Sequence, residues 1–333
     1  MSAVGFAEAR VTRARCRAIG VARMSGQGFA HPVDVALGNG DTVYVLSRSS
    51  AWKDKNPRIT VTSLDERAFS EIGGFGTEPG CFLAPTALAT DPGGRIYVAD
   101  EDLHQISVFD PDGTSLRRWG THGSGSGQLD RPSGLRVDAD GCLWVSDSVN
   151  ARLQRFTADG IPLCCVGSFG AGPGQLNMPW GVAIGPEGDI WVADWRNDRV
   201  QRFSPDGELR GIYGDDLLSR PSGVAVDAAG RLYVSDWGHD CVQMFDEQGR
   251  HRGTLVGDAS LSRWAQQWLE MYPQVNQRRQ EANRYEEERR FFRPVGMVIG
   301  PEGQLLVADS GRHRIQIYEY PDHTPQSLRP EKV

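Results

Sequence analysis

The chain has 333 residues, 24% charged and 39% hydrophobic, with 36 Lys and Arg against 43 Asp and Glu for a net charge of −7. That profile excludes a disordered or fibrous chain, and no run approaches the ~18 apolar residues of a membrane-spanning helix. The acidic balance argues against nonspecific nucleic-acid binding, which needs a basic footprint, although one basic face on an acidic body stays open.

The N-terminal segment Ala9-Arg10-Val11-Thr12-Arg13-Ala14-Arg15 superficially resembles a transit peptide but lacks the apolar core of a secretory signal. Gly20 then stands twelve residues before Pro32, as Gly73, Gly120 and Gly167 stand twelve before Pro85, Pro132 and Pro179. This spacing predicts a strand over residues 10–20, the last of a unit whose first three strands lie elsewhere in the chain.

From Pro32 onward one phrase recurs six times. A Pro, usually with Gly two residues later, opens an apolar run at Pro32, Pro85, Pro132, Pro179, Pro221 and Pro294. Fifteen residues after each Pro come Ser47, Asp100, Asp147, Asp194, Asp236 and Asp309, closing a second run. Nine residues further, Phe109, Phe156, Phe203, Phe245 and Tyr318 close a third. A period of roughly 40–50 residues with three or four short strands per unit is the signature of a propeller or array. In the fourth unit the strands are predicted at Gly181–Ile184, Asp189–Ala193, Val200–Phe203 and near Glu208–Tyr213, with turn tripeptides at 186–188 and 205–207.

Two insertions interrupt the rhythm. The second-to-third strand connection of unit one, Arg48 to Arg58, is longer than its counterparts, and residues 258–292 separate units five and six. In the latter, Leu261, Trp264, Ala265, Trp268, Leu269 and Tyr272 recur at helical spacing, Pro273 ends or kinks that helix, and a charged segment runs from Gln274 to Arg290. It reads as a helix packed on the rim, a lid across a channel mouth, or a helix offered to another protein. The sixth unit has three strands, and the three Pro between Pro321 and Pro330 do not continue a sheet. The N-terminal strand therefore completes the last blade and closes the ring. Residues 1–320 read as one propeller and 321–333 as a tail.

The phrase Pro-x-Gly-[Val/Leu]-x-[Val/Ile], then [Tyr/Trp]-Val-[Ala/Ser]-Asp, then Asn-x-Arg-[Ile/Val/Leu]-Gln-x-Phe is clearest at 132–156 and 179–203, and it resembles the NHL repeat. The resemblance covers residues 10–320 and implies an all-β, six-bladed β-propeller. Strands A to D of each blade alternate in direction, so the B–C and D–A connections, and both insertions, share one face. The resemblance implies that this face takes ligands. Such propellers serve as RNA binders, protein-interaction modules, sensor domains and lyases, so fold alone leaves function open.

A residue repeated in every blade is expected to be structural, and one that breaks the repeat is the better functional candidate. Asp100, Asp147, Asp194, Asp236 and Asp309 therefore read as turn supports, paired in three units with Arg152, Arg199 and Arg314 and sharing their turns with Asn150 and Asn197. The breaks are Trp180 after the blade Pro and Trp195 and Trp237 after the blade Asp, which with Trp264 and Trp268 place five of nine Trp over blades four to six. These indoles read as binding anchors or as packing beneath the helical insertion. His31, Arg131, Arg220 and Arg293 precede blade Pro residues, and with Arg48 and Arg196 they make a partly basic face suited to carboxylate or phosphate, unless they pair locally with the repeat Asp groups. His239, beside Trp237, completes the candidate ligand-binding set.

The seven His form no His-x-x-x-His or Glu-x-x-His arrangement. By resemblance, the amidating-lyase relatives donate a His directly after the blade Pro to a metal. Here those positions are Val33, Thr86, Ser133, Trp180, Ser222 and Val295, so that site is absent. A calcium-type oxygen site of lactonase propellers would use Glu101, Asn150 and Asn197, of which two are repeat positions. No metal site and no cofactor are called for, though a divalent ion stays open. The six Cys include no Cys-x-x-Cys pair; they read as core filler in a reducing, cytoplasmic setting. The expected function is recognition of a protein, peptide or small anionic or aromatic ligand on the decorated face, with no membrane partner. The alternatives are a small-molecule lyase or hydrolase with the insertion as lid, and RNA binding.

Overall fold

The computed structural model describes residues 14–23, 25–48 and 56–320. Among the described residues, twenty-four strands form six four-stranded antiparallel sheets, each a blade with strands A to D running outward from the axis. In blade 4 the strands are Pro179–Ile184, Ile190–Asp194, Arg199–Phe203 and Leu209–Tyr213. Blade 6 is assembled from both ends of the chain. Its strands A to C are Pro294–Ile299, Leu305–Asp309 and Arg314–Glu319, and Arg15–Ile19 pairs antiparallel with the last of these, Arg17 opposite Ile317. Of the strand expected over 10–20, residues 10–13 lie outside the described residues, as does the tail 321–333. None of the described helices is long and apolar enough to cross a membrane.

The ring follows from burial. Strand B is buried along its whole length in blades 2 to 6, because a blade lies against each of its faces. Strand D is the outermost and has no such cover; in blade 3 it is exposed except at Val166. Core clusters accordingly span seams between blades: Tyr97, Ile106 and Val108 of blade 2 pack with Leu135, Val145 and Phe156 of blade 3. Cys241 is buried, but Cys164 and Cys165 are exposed on strand D of blade 3, so core filler describes the first and not the other two. Where strands A converge, a Cβ on Gly134 or Gly223 would fall 2.1 Å from the carbonyl oxygen of Trp180 or Val295, which explains the glycine two residues after the blade Pro.

Adjacent blades are latched through the backbone. His104, Asp198, Asp240 and His313, each in the left-handed region four residues after the blade Asp, accept the N–H of the residue before the next blade Pro. The bonds run from Arg131 at 3.1 Å, Arg220 at 2.7 Å, Arg293 at 2.7 Å and His31 at 3.0 Å. His31 and His313 also stack, with ring centroids 4.3 Å apart. Burial, and then the neighbouring His31, push His313 down to about 4; burial and Arg293 lower His31.

The insertion contains helices α1 (Arg263–Met271), α2 (Pro273–Ala282) and α3 (Tyr285–Arg289). Ser262 caps α1 by accepting the N–H of Ala265 at 3.0 Å, and donates to Gly20 O at 2.7 Å. Trp264, 3% exposed, packs edge-on against Phe29 and Phe69. Its indole N–H donates to Glu66 O and its backbone N–H to Glu66 Oε2, both at 3.0 Å. The helix therefore clamps the seam where blade 6 meets blade 1. Trp264 lies in that core, with Ile19 and Val45, and not among the Trp of blades 4 and 5. The point where the insertion leaves the chain is not the point where it docks.

Trp264→Ala is expected to lower unfolding free energy by about 3–5 kcal/mol in urea titrations, the usual cost of removing a buried aromatic; a loss below about 1 kcal/mol contradicts the clamp. The latch predicts a pH dependence. Because His313 titrates below a free His, the unfolded chain binds more protons between about 4 and 6.5, and stability falls as pH drops through that window. His313→Asp, which borrows the residue of Asp198 and Asp240, keeps the N–H acceptor. Its urea midpoint is expected to fall less between pH 7 and pH 5 than that of the unsubstituted protein; an identical fall contradicts the assignment.

Candidate functional site

The face carrying the B–C and D–A connections is built on the buried blade Asp residues. One carboxylate oxygen accepts a backbone N–H of the chain entering the same blade. Asp147 takes it from Asp130 at 2.6 Å, Asp194 from Asn177 at 2.7 Å, Asp236 from Ser219 and Asp309 from Phe292, both at 2.8 Å. Asp100 takes Leu83 at 2.8 Å. The other oxygen accepts from Arg152 at 2.8 Å, Arg199 at 2.9 Å and Arg314 at 2.8 Å in blades 3, 4 and 6, and from a strand C Gln in the same blades. Burial pushes the carboxyls of Asp147, Asp194 and Asp309 up, against these N–H and Arg donors. Blade 1 substitutes Ser47, whose Oγ accepts Ala30 N–H at 3.2 Å. Blade 5 has Cys241 in the Arg position, and His239 Nδ1 lies 2.9 Å from Asp236 instead. Asn150 and Asn197 bond Asp147 and Asp194, and Glu101 pairs with Arg48, so the three oxygen-site candidates are each engaged separately.

On this frame stands a row of cations and rings. Trp195 and Trp237 begin the short 3-10 turns that follow the clasped Asp of blades 4 and 5. Arg196 lies over Trp195 at 5.8 Å from the ring centroid. Arg220 lies between two indoles, 5.5 Å from Trp195 and 5.9 Å from Trp237. Arg293 continues the row, 5.4 Å from Trp237 and 5.2 Å from Phe292, and Arg312 ends it, 5.7 Å from Phe292. Trp180 abuts Trp195 at 5.7 Å and lines the axis. In its place Thr86, Ser133 and Ser222 donate a hydroxyl to the next blade's Pro carbonyl, at 2.7, 2.9 and 3.0 Å. Each cation–ring contact is worth about 0.5–1 kcal/mol when exposed, enough to restrict a guanidinium while its N–H groups stay free for a ligand.

The structure thus brings together Trp180, Trp195, Trp237, Arg196, Arg220 and Arg293. Arg48, paired with Glu101, Arg131, 3.3 Å from Asp102, His31 in its latch and His239 beside Asp236 are engaged in contacts of their own. Among the described residues, Arg196, Arg220 and Arg293 have no carboxylate within ion-pair distance. Phe292 and Arg312 are additions. Both break the repeat, Phe292 standing where the other blades have Leu83, Asp130, Asn177 and Ser219, and Arg312 where they have Asn150, Asn197 and His239.

The axis itself is closed. Asp34 and Arg136, from blades 1 and 3, form an ion pair at 3.1 Å across it. Arg136 also donates to the carbonyls of Leu135 at 2.7 Å, Met297 at 2.9 Å and Leu88 at 3.2 Å. The cavity left there, about 10 Å³, is no larger than a single water needs. Asp34 stands in the usual Gly position and Arg136 in an apolar strand, a signal present in the sequence but unpaired by any spacing. Among the described residues, side chains of metal-ligand type converge at His104, His122 and Asp130, on the same face at the seam of blades 2 and 3.

Comparison with known proteins agrees with this architecture. The NHL repeat pattern matches residues 82–109, 129–156, 176–203, 218–245 and 291–318. No curated protein matches the chain in sequence. A Bacteroides thetaiotaomicron protein of unknown function is similar in structure, at TM-score 0.62 and 18% identity, over 93% of this chain and 76% of that one. A streptogramin B lyase is similar at TM-score 0.56 and 14% identity, over 94% of this chain and 99% of that one. A catalytically inactive virginiamycin B lyase from Staphylococcus aureus, solved with Quinupristin, gives TM-score 0.56 and 13% identity over 92% and 99%. At such identities the likeness is one of fold. Five matched repeats and six closed blades make the chain an NHL-repeat β-propeller.

Proposed function

We propose that this propeller is a recognition module and that the Arg–Trp row over blades 4 to 6 binds an anionic ligand. The carrying observation is the state of three guanidiniums. Arg196, Arg220 and Arg293 lie on aromatic faces with no described carboxylate partner, while Arg48, Arg131, Arg152, Arg199 and Arg314 on the same face are ion-paired. In a chain of net charge −7, unpaired cations in a row mark where negative charge is welcome. A guanidinium held beside an indole keeps its N–H groups available to a carboxylate or phosphate in a bidentate way. Its rotamers are already restricted, so less entropy is lost on binding. Trp180, Trp195 and Trp237 add apolar area beside the charges, the composition of binding hot spots.

A lyase acting on a ligand held over the same face is the second reading. It draws on the likeness in fold to two lyases and extends no further than that. The closed axis and the engaged blade Asp residues favour recognition.

The test is titration with hexaglutamate, followed by Trp fluorescence, with hexalysine as control. Saturable binding of hexaglutamate alone is expected, weakening as salt rises. Arg220→Ala and Arg293→Ala should each weaken it about tenfold, with thermal midpoints within ~2 °C of the parent. Absence of binding at low salt, or binding by both variants as tight as the parent's, contradicts the reading.

A further inference from the structure

We propose that His104, His122 and Asp130 form a binding site for a divalent transition-metal ion of the zinc class, distinct from the Arg–Trp row. Three side chains from two connections converge to make it. His104 lies in the B–C turn of blade 2, in the left-handed region at φ 56°. His122 and Asp130 lie in the D–A connection that enters blade 3. The two imidazoles stack with centroids 4.2 Å apart and planes inclined by 41°. Asp130 offers one oxygen to each, Oδ1 at 3.4 Å from His104 Nδ1 and Oδ2 at 3.6 Å from His122 Nε2.

These separations are those of ligands around one ion. With metal–ligand bonds of about 2.0–2.1 Å, neighbouring donors of a tetrahedral zinc site lie roughly 3.3–3.4 Å apart. The three ligand atoms lie within 4.8 Å of one another, so shifts of a few tenths to about an ångström close the set. Two neutral imidazoles and one carboxylate suit zinc and its neighbours in the first transition row, and not magnesium or calcium, which prefer all-oxygen shells. A fourth position remains for water or another ligand.

Two further observations support the site. The first is its departure from the repeat. Phe75 and Phe169 occupy the position of His122 in the connections entering blades 2 and 4, each making the same isolated bridge that His122 makes with Leu129. Leu83, Asn177, Ser219 and Phe292 occupy the position of Asp130. Both ligands are thus substitutions at places where the fold is content with other residues. The second is support and access. The backbone of Asp130 is fixed on both sides, its N–H by Asp147 at 2.6 Å and its carbonyl by Val149 N–H at 3.2 Å, which leaves the carboxylate to the two imidazoles. The nearby charges of Arg131 and Asp102 pair with each other, and the side chain of His122 is 65% exposed. One contact competes: Arg131 N–H donates to His104 Nδ1 at 3.1 Å, so the ion displaces that latch bond.

The experiment uses the full chain stripped with chelator and titrated with Zn²⁺ by calorimetry and with Co²⁺ by visible absorption. His122→Phe and Asp130→Asn are the informative variants, because Phe169 and Asn177 already stand in those places in the next repeat. One equivalent of ion per chain is expected, at micromolar dissociation constant or tighter. Each variant should bind at least about tenfold more weakly, while its thermal midpoint in chelator stays within ~3 °C of the parent. Lack of saturable binding below about 100 μM, or unchanged affinity in both variants, overturns the proposal.

Discussion

A buried carboxylate holding a backbone N–H is the contact on which the ring depends. In each of blades 2 to 6 the Asp that ends strand B reaches back seventeen residues to the chain about to enter strand A. The acceptor is charged and buried, so the bond is short and costly to break. It fixes the entry of the innermost strand relative to the second, and therefore the angle at which the blade meets its neighbours. Blade 1 replaces it with a hydroxyl, a weaker acceptor, and it is at the seam beside blade 1 that the fold adds other supports. The N-terminal strand hydrogen-bonds into blade 6, and α1 drives Trp264 into the joint and hydrogen-bonds Glu66.

The same economy shapes the face that carries the B–C and D–A connections. Because the clasp and the latch satisfy the backbone of the D–A connections, side chains one residue to either side are free to vary. At blades 4 to 6 that freedom is used for indoles and guanidiniums. A latch aspartate accepts the backbone N–H of Arg220, and another that of Arg293, which sets the start of each side chain before the rings orient its end. At blades 2 and 3 the same freedom places two imidazoles and a carboxylate in contact. The axis, often the open part of a ring of blades, is sealed here by Asp34 and Arg136.

The architecture was legible because it is written locally. Each strand, turn and clasp lies within one repeat, and the Gly20–Pro32 spacing carried the closure of the ring across the whole chain. The row was half legible: Trp180, Trp195 and Trp237 stood out against the repeat, as did Arg220 and Arg293 before their Pro residues. What escaped were contacts between residues that no spacing relates. Asp34 and Arg136 are 102 residues apart and meet only because six strands A converge. Trp264 and Trp268 follow blade 5 in sequence, yet α1 folds past blade 6, and Trp264 is buried against Phe29 and Phe69. Arg48, Arg131 and His31 share the face with the row, and the groups that engage them come from turns of neighbouring blades whose pairing the sequence does not state.

The central claim is a division of labour: repeated residues hold the blades, and residues that break the repeat on one face bind. A saturation substitution scan with two readouts, cellular abundance and capture on an immobilised acidic peptide, tests it directly. Substitutions at Asp100, Asp147, Asp194, Asp236 and Asp309 are predicted to reduce abundance, and capture only in proportion. Substitutions at Trp195, Arg196, Arg220, Trp237 and Arg293 are predicted to reduce capture at undiminished abundance. If both groups move abundance and capture together, or if the row moves neither, the account is contradicted.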